Sequence, residues 1–356
     1  MGFAILWVML FHLPGHTGFL AMEFFKSIGY GGVDIFLFLS AFGLYFSMSK
    51  GSFDAKQYIK HRFFRIIPEF WIVLLAVFLI QMDFSTDSFR YLACHLFTLD
   101  YWIWGKGETW YISCILVFYA VYPAYFKLFK TYGMRIPVII ICLGLAMICT
   151  YALTCVLLFN NDNILGALTL TFSRIPIFFV GAVFGHWAKD GVHIQLSRRL
   201  IILTLSTTLV STAALYVFIT HFEDYLWTCS LYFVPFILIT PVLCILLAIC
   251  FDKIRIANQF FGYAGTLSLE LYLCHEYSYP LFGFFTNIAG KAMAYVLIVS
   301  LSVISAVALK AVTSNPLQSL LHNRSLIRNS PSDSSAYNPQ QHRVDDCPDN
   351  RQDSTR

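Results

Sequence analysis

The stretch Gly31–Trp71, GGVDIFLFLSAFGLYFSMSKGSFDAKQYIKHRFFRIIPEFW, contains two apolar segments joined by a basic loop. The first segment carries one acid, Asp34, near its start, and the loop carries Arg62 and Arg65. Apolar segments of this kind suit a bilayer interior, and Lys and Arg concentrate in loops on the cytoplasmic side of a membrane. The stretch is therefore predicted to be a membrane hairpin whose connecting loop faces the cytoplasm.

The composition extends this prediction to most of the chain. Of its 356 residues, 58% are hydrophobic and 12% are charged, and the mean hydropathy is +0.67. Soluble domains contain about 25% charged residues, so this chain lacks the polar side chains to cover its surface in water. We expect an all-α, multi-pass membrane helix bundle with the lipid bilayer as its partner, and no nucleic-acid partner.

Apolar segments that are candidates to cross a membrane recur along the chain from residue 1 to residue 313. Each crossing needs about 20 apolar residues, and ten segments are candidates: 1–13, 33–48, 66–82, 109–126, 136–159, 168–188, 200–220, 226–250, 260–283 and 292–313. The first is short, because a helix from Met1 to Leu13 rises only about 20 Å against a hydrocarbon core of about 30 Å. We expect about ten transmembrane helices in a membrane domain over residues 1–313, with a short or truncated first helix.

Two further stretches lie outside these segments. Segment 83–108 has apolar residues at helical spacing, so it is a helix on the membrane surface, a segment folded back onto the bundle, or an ordinary aromatic-rich loop. From about Asn323 the chain is polar, and 314–356 is predicted to be a disordered cytoplasmic tail.

The Lys and Arg residues of the loops predict the orientation. With the loop 49–65 inside, thirteen lie in inner loops: Lys50, Lys56, Lys60, Arg62, Arg65, Lys127, Lys130, Arg135, Lys189, Arg198, Arg199, Lys253 and Arg255. Four lie in outer segments: Lys26, Arg90, Lys106 and Lys291. This bias predicts that both termini are cytoplasmic in a plasma (inner) membrane protein.

Four ionisable side chains fall at membrane depth: His12, Arg174, Glu270 and His275. Each costs at least about 2.5–3.5 kcal/mol on insertion scales, so each needs a partner or a function. Ser268, Tyr272 and His275 share one helix face, with Glu270 roughly opposite. By depth, Arg174 is the expected partner of Glu270.

The residues alone leave two interpretations open for the main candidates. Each histidine is either an interfacial hydrogen-bonding residue or a catalytic one. The pair Arg62 and Arg65 binds either anionic lipid headgroups or the phosphates of a substrate. The ten cysteines are scattered singly, and no His/Cys cluster has zinc spacing, so we expect neither a metal nor a disulfide framework.

Six blocks together resemble the acyltransferase-3 family of integral membrane O-acyltransferases. They are GFAILWVMLFHL (2–13), GGVDIFLFLSAFGLY (31–45), KHRFFRIIPEFW (60–71), ETWYISCILVFYAVYP (108–123), and the weaker SRIPIFFVGAVFG (173–185) and GTLSLELYLCHE (265–276). Among them are matches to a helix-end histidine, an Arg-x-x-Arg signature and a Trp-Tyr-x-Ser helix. The resemblance covers about residues 1–313.

The resemblance implies a donor, an acceptor and residue roles. Acetyl-CoA or another acyl-CoA would be the cytoplasmic donor, and a cell-surface glycan, free or lipid-linked, would be O-acetylated as part of the cell envelope. His12 would be the general base or acyl carrier, with Asp34 beside it, and Arg62 and Arg65 would bind CoA phosphates. Substrate contacts or a structural polar network would come from Trp110, Tyr111, Arg174, Glu270 and His275.

The chain departs from the family pattern at one position, and one alternative function stays open. The family's first helix normally carries an arginine eleven residues before the histidine, where this chain has Met1. Either the start of the chain has been lost, which the short first helix favours, or this member lacks that arginine. The alternative function is a non-enzymatic transporter or flippase of lipid-linked sugars. Against it, the sequence shows no internal repeat and no matching pair of Gly/Pro-broken helices.

Overall fold

A computed structural model describes residues 1–16, 18–50, 54–81, 85–105, 110–158, 163–191, 198–228 and 231–328. No strand occurs among these residues, which confirms the all-α prediction. The α-helices are α1 Gly2–His12, α2 Leu20–Ser27, α3 Gly31–Met48, α4 Ala55–Gln81, α5 Thr86–Leu96, α6 Leu99–Trp104, α7 Trp110–Tyr132, α8 Arg135–Leu158, α9 Asn163–Phe172, α10 Ile175–Lys189, α11 Arg198–Thr228, α12 Phe236–Lys253, α13 Arg255–Thr266, α14 Ser268–Ser278, α15 Phe282–Ala289 and α16 Lys291–Arg328.

Eight helical segments within the described residues are long and apolar enough to cross a membrane, and α1 is a shorter apolar helix. The outward faces of these segments are apolar. On α11, for example, Leu203, Leu209 and Val210 are 60%, 71% and 67% exposed. Water disfavours so large an apolar surface, whereas lipid tails solvate it. The polytopic membrane bundle predicted from composition is confirmed.

The helix α3 contacts α1, α7, α10 and α12, and glycines allow two of these helices to approach it closely. A Cβ atom on Gly32 of α3 would lie 2.5 Å from the carbonyl oxygen of Ala4 on α1. A Cβ atom on Gly181 of α10 would overlap the carbonyl oxygen of Phe38 on α3. Small residues bring helix backbones together in this way in membranes. As a result α3 is packed tightly against both α1 and α10.

Two predicted crossings are interrupted helices. Segment 168–188 is divided between α9 and α10 at Ser173 and Arg174, and Pro176 lies in the first turn of α10, where its missing N–H breaks no helical bond. Segment 260–283 is divided at Leu267 between α13 and α14. There Lys310 Nζ donates to the carbonyl oxygen of Thr266, a group that a continuous helix would pair internally. The prediction of one continuous helix over 260–283 is therefore wrong.

Part of segment 83–108 folds back onto the bundle. Its described residues form α5 and α6, and Tyr101 of α6 is fully buried. The Tyr101 hydroxyl donates to the carbonyl oxygen of Ala167 over 2.8 Å. Next to it, His95 Nδ1 lies 2.9 Å from the Oδ2 atom of the buried Asp100. These contacts select the folded-back arrangement among the three that the sequence left open.

The chain forms two compact units, Met1–Thr313 and Ser314–Arg356. The first contains α1–α15 and the part of α16 that ends at Thr313. In the second, the structure describes residues 314–328 as helix. The rest of the predicted polar tail, 329–356, lies outside the described residues.

Candidate active site

Two histidines from distant parts of the chain meet at the ends of α1 and α14. The Nε2 atom of His275 lies 3.3 Å from Nδ1 of His12, and the ring centroids are 5.1 Å apart. His275 is fully buried, whereas His12 is exposed at the end of its helix. The sequence named both residues, and only the fold places them side by side.

Local sequence explains why His12 is the last residue of α1. Leu13 precedes Pro14 and is extended, with φ −64° and ψ 123°. A residue before proline is forced out of the α region because the proline ring collides with its backbone. The helix therefore ends at His12, and its imidazole projects beyond the last turn.

Backbone carbonyls orient both rings. The Nδ1 atom of His275 lies 3.0 Å from the carbonyl oxygen of Leu271, and that of His12 lies 3.1 Å from the carbonyl oxygen of Val8. A carbonyl can only accept, so we assign the proton of each neutral ring to Nδ1. Both Nε2 atoms then keep a lone pair. Since His275 Nε2 is close to Nδ1 of His12, it can share the proton that Nδ1 donates.

A row of aromatic side chains continues from His275. Its ring lies 5.7 Å from that of Tyr272, one turn earlier, and Tyr272 lies 5.0 Å from Tyr111 of α7. Tyr111 in turn lies 6.1 Å from Phe36 and from Trp110. The predicted site residue Tyr111 is thus joined to His275 through Tyr272.

A cavity of about 80 Å³ is lined by three members of this row, Tyr272, Tyr111 and Phe36. Its lining comes from α3, α4, α7, α14 and the residue before α1: Met1, Phe36, Ser40, Arg65, Ile66, Tyr111, Ile112, Ile115, Tyr119, Ser268, Leu269 and Tyr272. The cavity is mostly apolar, with one cationic side chain, that of Arg65, and a few hydroxyl groups in its wall. Tyr272 lines it and also touches the histidine pair.

The two arginines of the Arg-x-x-Arg sequence have different surroundings. Both lie on α4, which begins at Ala55, so the helix extends through them as their shared spacing requires. Arg65 lines the cavity. Arg62 instead lies over the rings of Tyr58 and Tyr119, with its guanidinium carbon 5.7 Å and 5.3 Å from their centroids. Only Arg65 is placed to contact an occupant of the cavity.

Asp34, which was expected to stand beside His12, is paired with Arg174. Its Oδ1 atom lies 3.6 Å from Nε of Arg174, and both side chains are 1% exposed. Asp34 lies in the first turn of α3, where the helix dipole favours an acid. Because α3 and α10 are in close contact, the residue before α10, Arg174, meets this acid.

Aromatic rings and two oxygen atoms complete the surroundings of Arg174. Its guanidinium carbon lies 3.4 Å from the centroid of Phe233 and 5.1 Å from that of Trp110. It donates to Ser173 Oγ over 2.9 Å and to the carbonyl oxygen of Leu170 over 3.4 Å. Trp110 and Arg174 therefore belong to a buried polar network centred on the ion pair with Asp34.

Glu270 is paired with Lys310, so the predicted pairing with Arg174 is wrong. Lys310 Nζ lies 2.6 Å from Glu270 Oε1, and Glu270 is only 3% exposed. One turn along α16, Thr313 donates to Glu69 of α4 over 3.2 Å. Lys310 was not predicted from the sequence, although it is an ionisable residue within an apolar segment. Its depth could not be compared with that of Glu270 before the break at Leu267 was known.

A second residue missed from the sequence is Glu276. It directly follows His275, and its Oε2 atom lies 3.4 Å from His275 Nε2. Within the described residues, His12, His275 and Glu276 offer ligand atoms that all lie within 4.8 Å of one another. The sequence shows that His275 and Glu276 are adjacent, but it does not show that His12 lies beside them.

A separate polar cluster joins the C-terminal ends of α3, α7 and α10. The hydroxyl of Tyr45 donates to Asp190 Oδ2 over 2.8 Å, and Lys130 Nζ lies 3.1 Å from that hydroxyl oxygen. His186 Nδ1 lies 2.7 Å from the same carboxylate oxygen. The hydrogen bond from Tyr45 is the main reason that the pKa of Asp190 lies below its usual value.

Comparison with known proteins identifies the family. The sequence model of the acyltransferase-3 family, described as an acyltransferase domain, matches residues 2–313. No curated protein and no solved structure matches the chain. The match spans α1 to the middle of α16 and contains both histidines and the cavity. The chain therefore belongs to the acyltransferase-3 family and is a membrane acyltransferase.

Proposed function

We propose that this chain is an O-acyltransferase that moves an acyl group, in the first instance acetyl, from cytoplasmic acyl-CoA to a hydroxyl group of a cell-surface or exported glycan. One arrangement carries the proposal: Tyr272 touches the histidine pair and lines the cavity that Arg65 also lines. The histidines offer basic nitrogen atoms, and Arg65 offers a fixed cation. Family membership supports acyl transfer and counts against the transporter.

Arg65 is the proposed contact for the donor. Guanidinium groups match phosphate oxygens with two parallel hydrogen bonds, so Arg65 suits the phosphates of CoA. The neighbouring cavity is narrow and mostly apolar, which suits the thin acyl-bearing arm. Arg62, held by Tyr58 and Tyr119, adds positive charge at the same end of α4. Loop charge supports a cytoplasmic position for this end, with both termini on the same side.

His12 is the proposed catalytic residue. Its Nδ1–H is shared between the carbonyl of Val8 and His275 Nε2, so its own Nε2 holds the lone pair that can accept a proton. As general base, Nε2 takes the proton of the acceptor hydroxyl while the oxygen bonds to the thioester carbonyl carbon. The C–S bond then breaks, and the proton passes to the departing CoA thiolate. His275 stabilises the intermediate imidazolium by accepting its Nδ1–H.

The second route uses His12 as an acyl carrier. Here Nε2 attacks the thioester, CoA leaves, and the acceptor hydroxyl takes the acyl group from nitrogen in a second step. Both routes place the reacting nitrogen at the exposed end of α1. A free or lipid-linked glycan in the cell envelope can bring its hydroxyl to this end from outside the inner membrane.

The test is acyl transfer by the purified full chain, with labelled acetyl-CoA and crude envelope glycan. We expect labelled glycan with the wild type and a loss of about 10²–10⁴-fold with His12→Ala, the usual contribution of a general base. His16→Ala is the matched control, since His16 is 94% exposed and pairs with Glu23. Unchanged transfer by His12→Ala would overturn the assignment.

A further inference from the structure

Besides His12, the surroundings of His275 Nε2 include the carboxylate of Glu276. The Nε2 lone pair faces Oε2 of Glu276 at 3.4 Å, because the ring proton is directed from Nδ1 to the carbonyl of Leu271. A lone pair and a carboxylate oxygen at this distance repel one another unless a proton or a metal cation lies between them. A nitrogen of His12 lies 3.3 Å away on the remaining side.

The spacing matches the ligand set of a divalent transition ion. Zinc binds His nitrogen at about 2.0–2.1 Å and carboxylate oxygen at about 2.0–2.2 Å, so the edges of its tetrahedron are about 3.3–3.5 Å long. The two distances from His275 Nε2 agree with such an edge. Two histidines and one carboxylate are also a common protein ligand set, which leaves the fourth position to water or substrate.

The hydrogen bonds around the site support the same conclusion. A histidine that binds a metal through one nitrogen usually donates its other N–H to a carbonyl or carboxylate, which fixes the ring. The carbonyl of Leu271 already holds His275 in this way. Glu276 is 28% exposed and His12 is exposed, so an ion can reach the three ligands from solvent.

We infer that His12, His275 and Glu276 form a binding site for one divalent transition ion, with zinc as the representative ion, and that the bound ion reversibly inhibits acyl transfer. Inhibition follows because an ion held by Nδ1 of His12 and Nε2 of His275 moves the His12 proton to Nε2, which removes the lone pair proposed to accept the hydroxyl proton. This half of the inference rests on the proposed function, whereas zinc binding does not. Motif spacing in the sequence could not predict this cluster, because His12 lies 263 residues from His275.

Direct binding is the first experiment. The purified full chain is titrated with zinc against a chelating dye, and we expect one zinc ion per chain. Glu276→Gln and His275→Gln should each lower zinc affinity at least about tenfold, since even the loss of an outer partner of a ligand costs about 10–100-fold. His16→Gln should retain wild-type affinity. Monodisperse elution of Glu276→Gln shows that its loss of zinc is not a loss of fold.

The outcomes separate the site from the proposed reaction. Zinc binding that falls in Glu276→Gln and not in His16→Gln supports the site, even in a chain that transfers no acyl group. Inhibition of acyl transfer by zinc, reversed by a chelator and weakened in Glu276→Gln, supports the regulatory half. No stoichiometric zinc, or equal zinc affinity in all four proteins, would overturn the inference and leave a shared proton between His275 and Glu276.

Discussion

Asp34 and Arg174 form an ion pair inside the bundle, with 3.6 Å between Oδ1 and Nε and with 1% of each side chain exposed. The pair joins the first turn of α3 to the residue before α10, so it fixes one end of the close contact between these two helices.

Removal of one member of this pair should destabilise the fold strongly. Asp34→Leu or Arg174→Met leaves a buried charge without its partner, at a cost of about 3–5 kcal/mol. The double variant should recover much of this loss, which thermal unfolding in detergent would measure. Arg90→Ala is the control, because Arg90 and Asp87 are exposed and 4.0 Å apart. Two additive single losses would contradict the pairing.

Glu270 should be energetically coupled to Lys310 and not to Arg174. A double-mutant cycle with Glu270→Gln and Lys310→Met should give an interaction energy on the order of 1 kcal/mol, reduced from that of a fully buried pair because Lys310 is 40% exposed. The cycle of Glu270→Gln with Arg174→Met should be additive within about 0.5 kcal/mol. Coupling in the second cycle alone would restore the pairing predicted from sequence.

The two arginines of α4 should differ in their effect on the donor. Arg65→Ala should raise the KM for acyl-CoA about 10–100-fold, because a hydrogen bond to a charged group contributes about 1.5–3 kcal/mol. Arg62→Ala should have a smaller effect, since its guanidinium is held between Tyr58 and Tyr119. Arg65→Lys should restore part of the binding. Equal losses for Arg62→Ala and Arg65→Ala would contradict the cavity as donor site.

Gly181 should tolerate no side chain. A Cβ there overlaps the carbonyl oxygen of Phe38, so Gly181→Ala must separate α10 from α3 and should cost about 1–3 kcal/mol or more. Gly262→Ala is the matched control, because no atom outside its own helix lies within 4 Å of the added Cβ. Thermal unfolding of the two variants measures the difference. Equal stability would show that α3 and α10 are not in close contact.

The cluster around Asp190 should make stability depend on pH. Its pKa lies below the usual 3.8, chiefly because the Tyr45 hydroxyl donates to the carboxylate. An acid whose pKa is lower in the folded state than in the unfolded state stabilises the fold above its unfolded pKa. This contribution is lost as the pH falls through the folded pKa. Tyr45→Phe should therefore destabilise the chain at pH 6, and its difference from the wild type should shrink as the pH falls below 3.8 toward the lower folded pKa. A difference independent of pH would contradict this role of Asp190.

The residues themselves determined the class of the protein. Charge is scarce and apolar segments recur at bilayer length, so the choice of a helical membrane bundle follows from solvation alone. Local sequence also determined the end of α1, since Pro14 ends the helix and leaves His12 as its last residue. The ordered blocks of the resemblance identified the family because each block is a short, local pattern.

The partners of the buried charges were decided by tertiary structure. Depth in the membrane suggested Arg174 for Glu270, and the resemblance implied Asp34 beside His12, but neither defines which helix face meets which neighbour. Glycine contacts bring α10 onto α3, while α14 contacts α1 and meets α16 through Glu270 and Lys310. Only that packing joins His12 to His275 and Glu276, because a pairing of residues 263 apart depends on how whole helices are arranged.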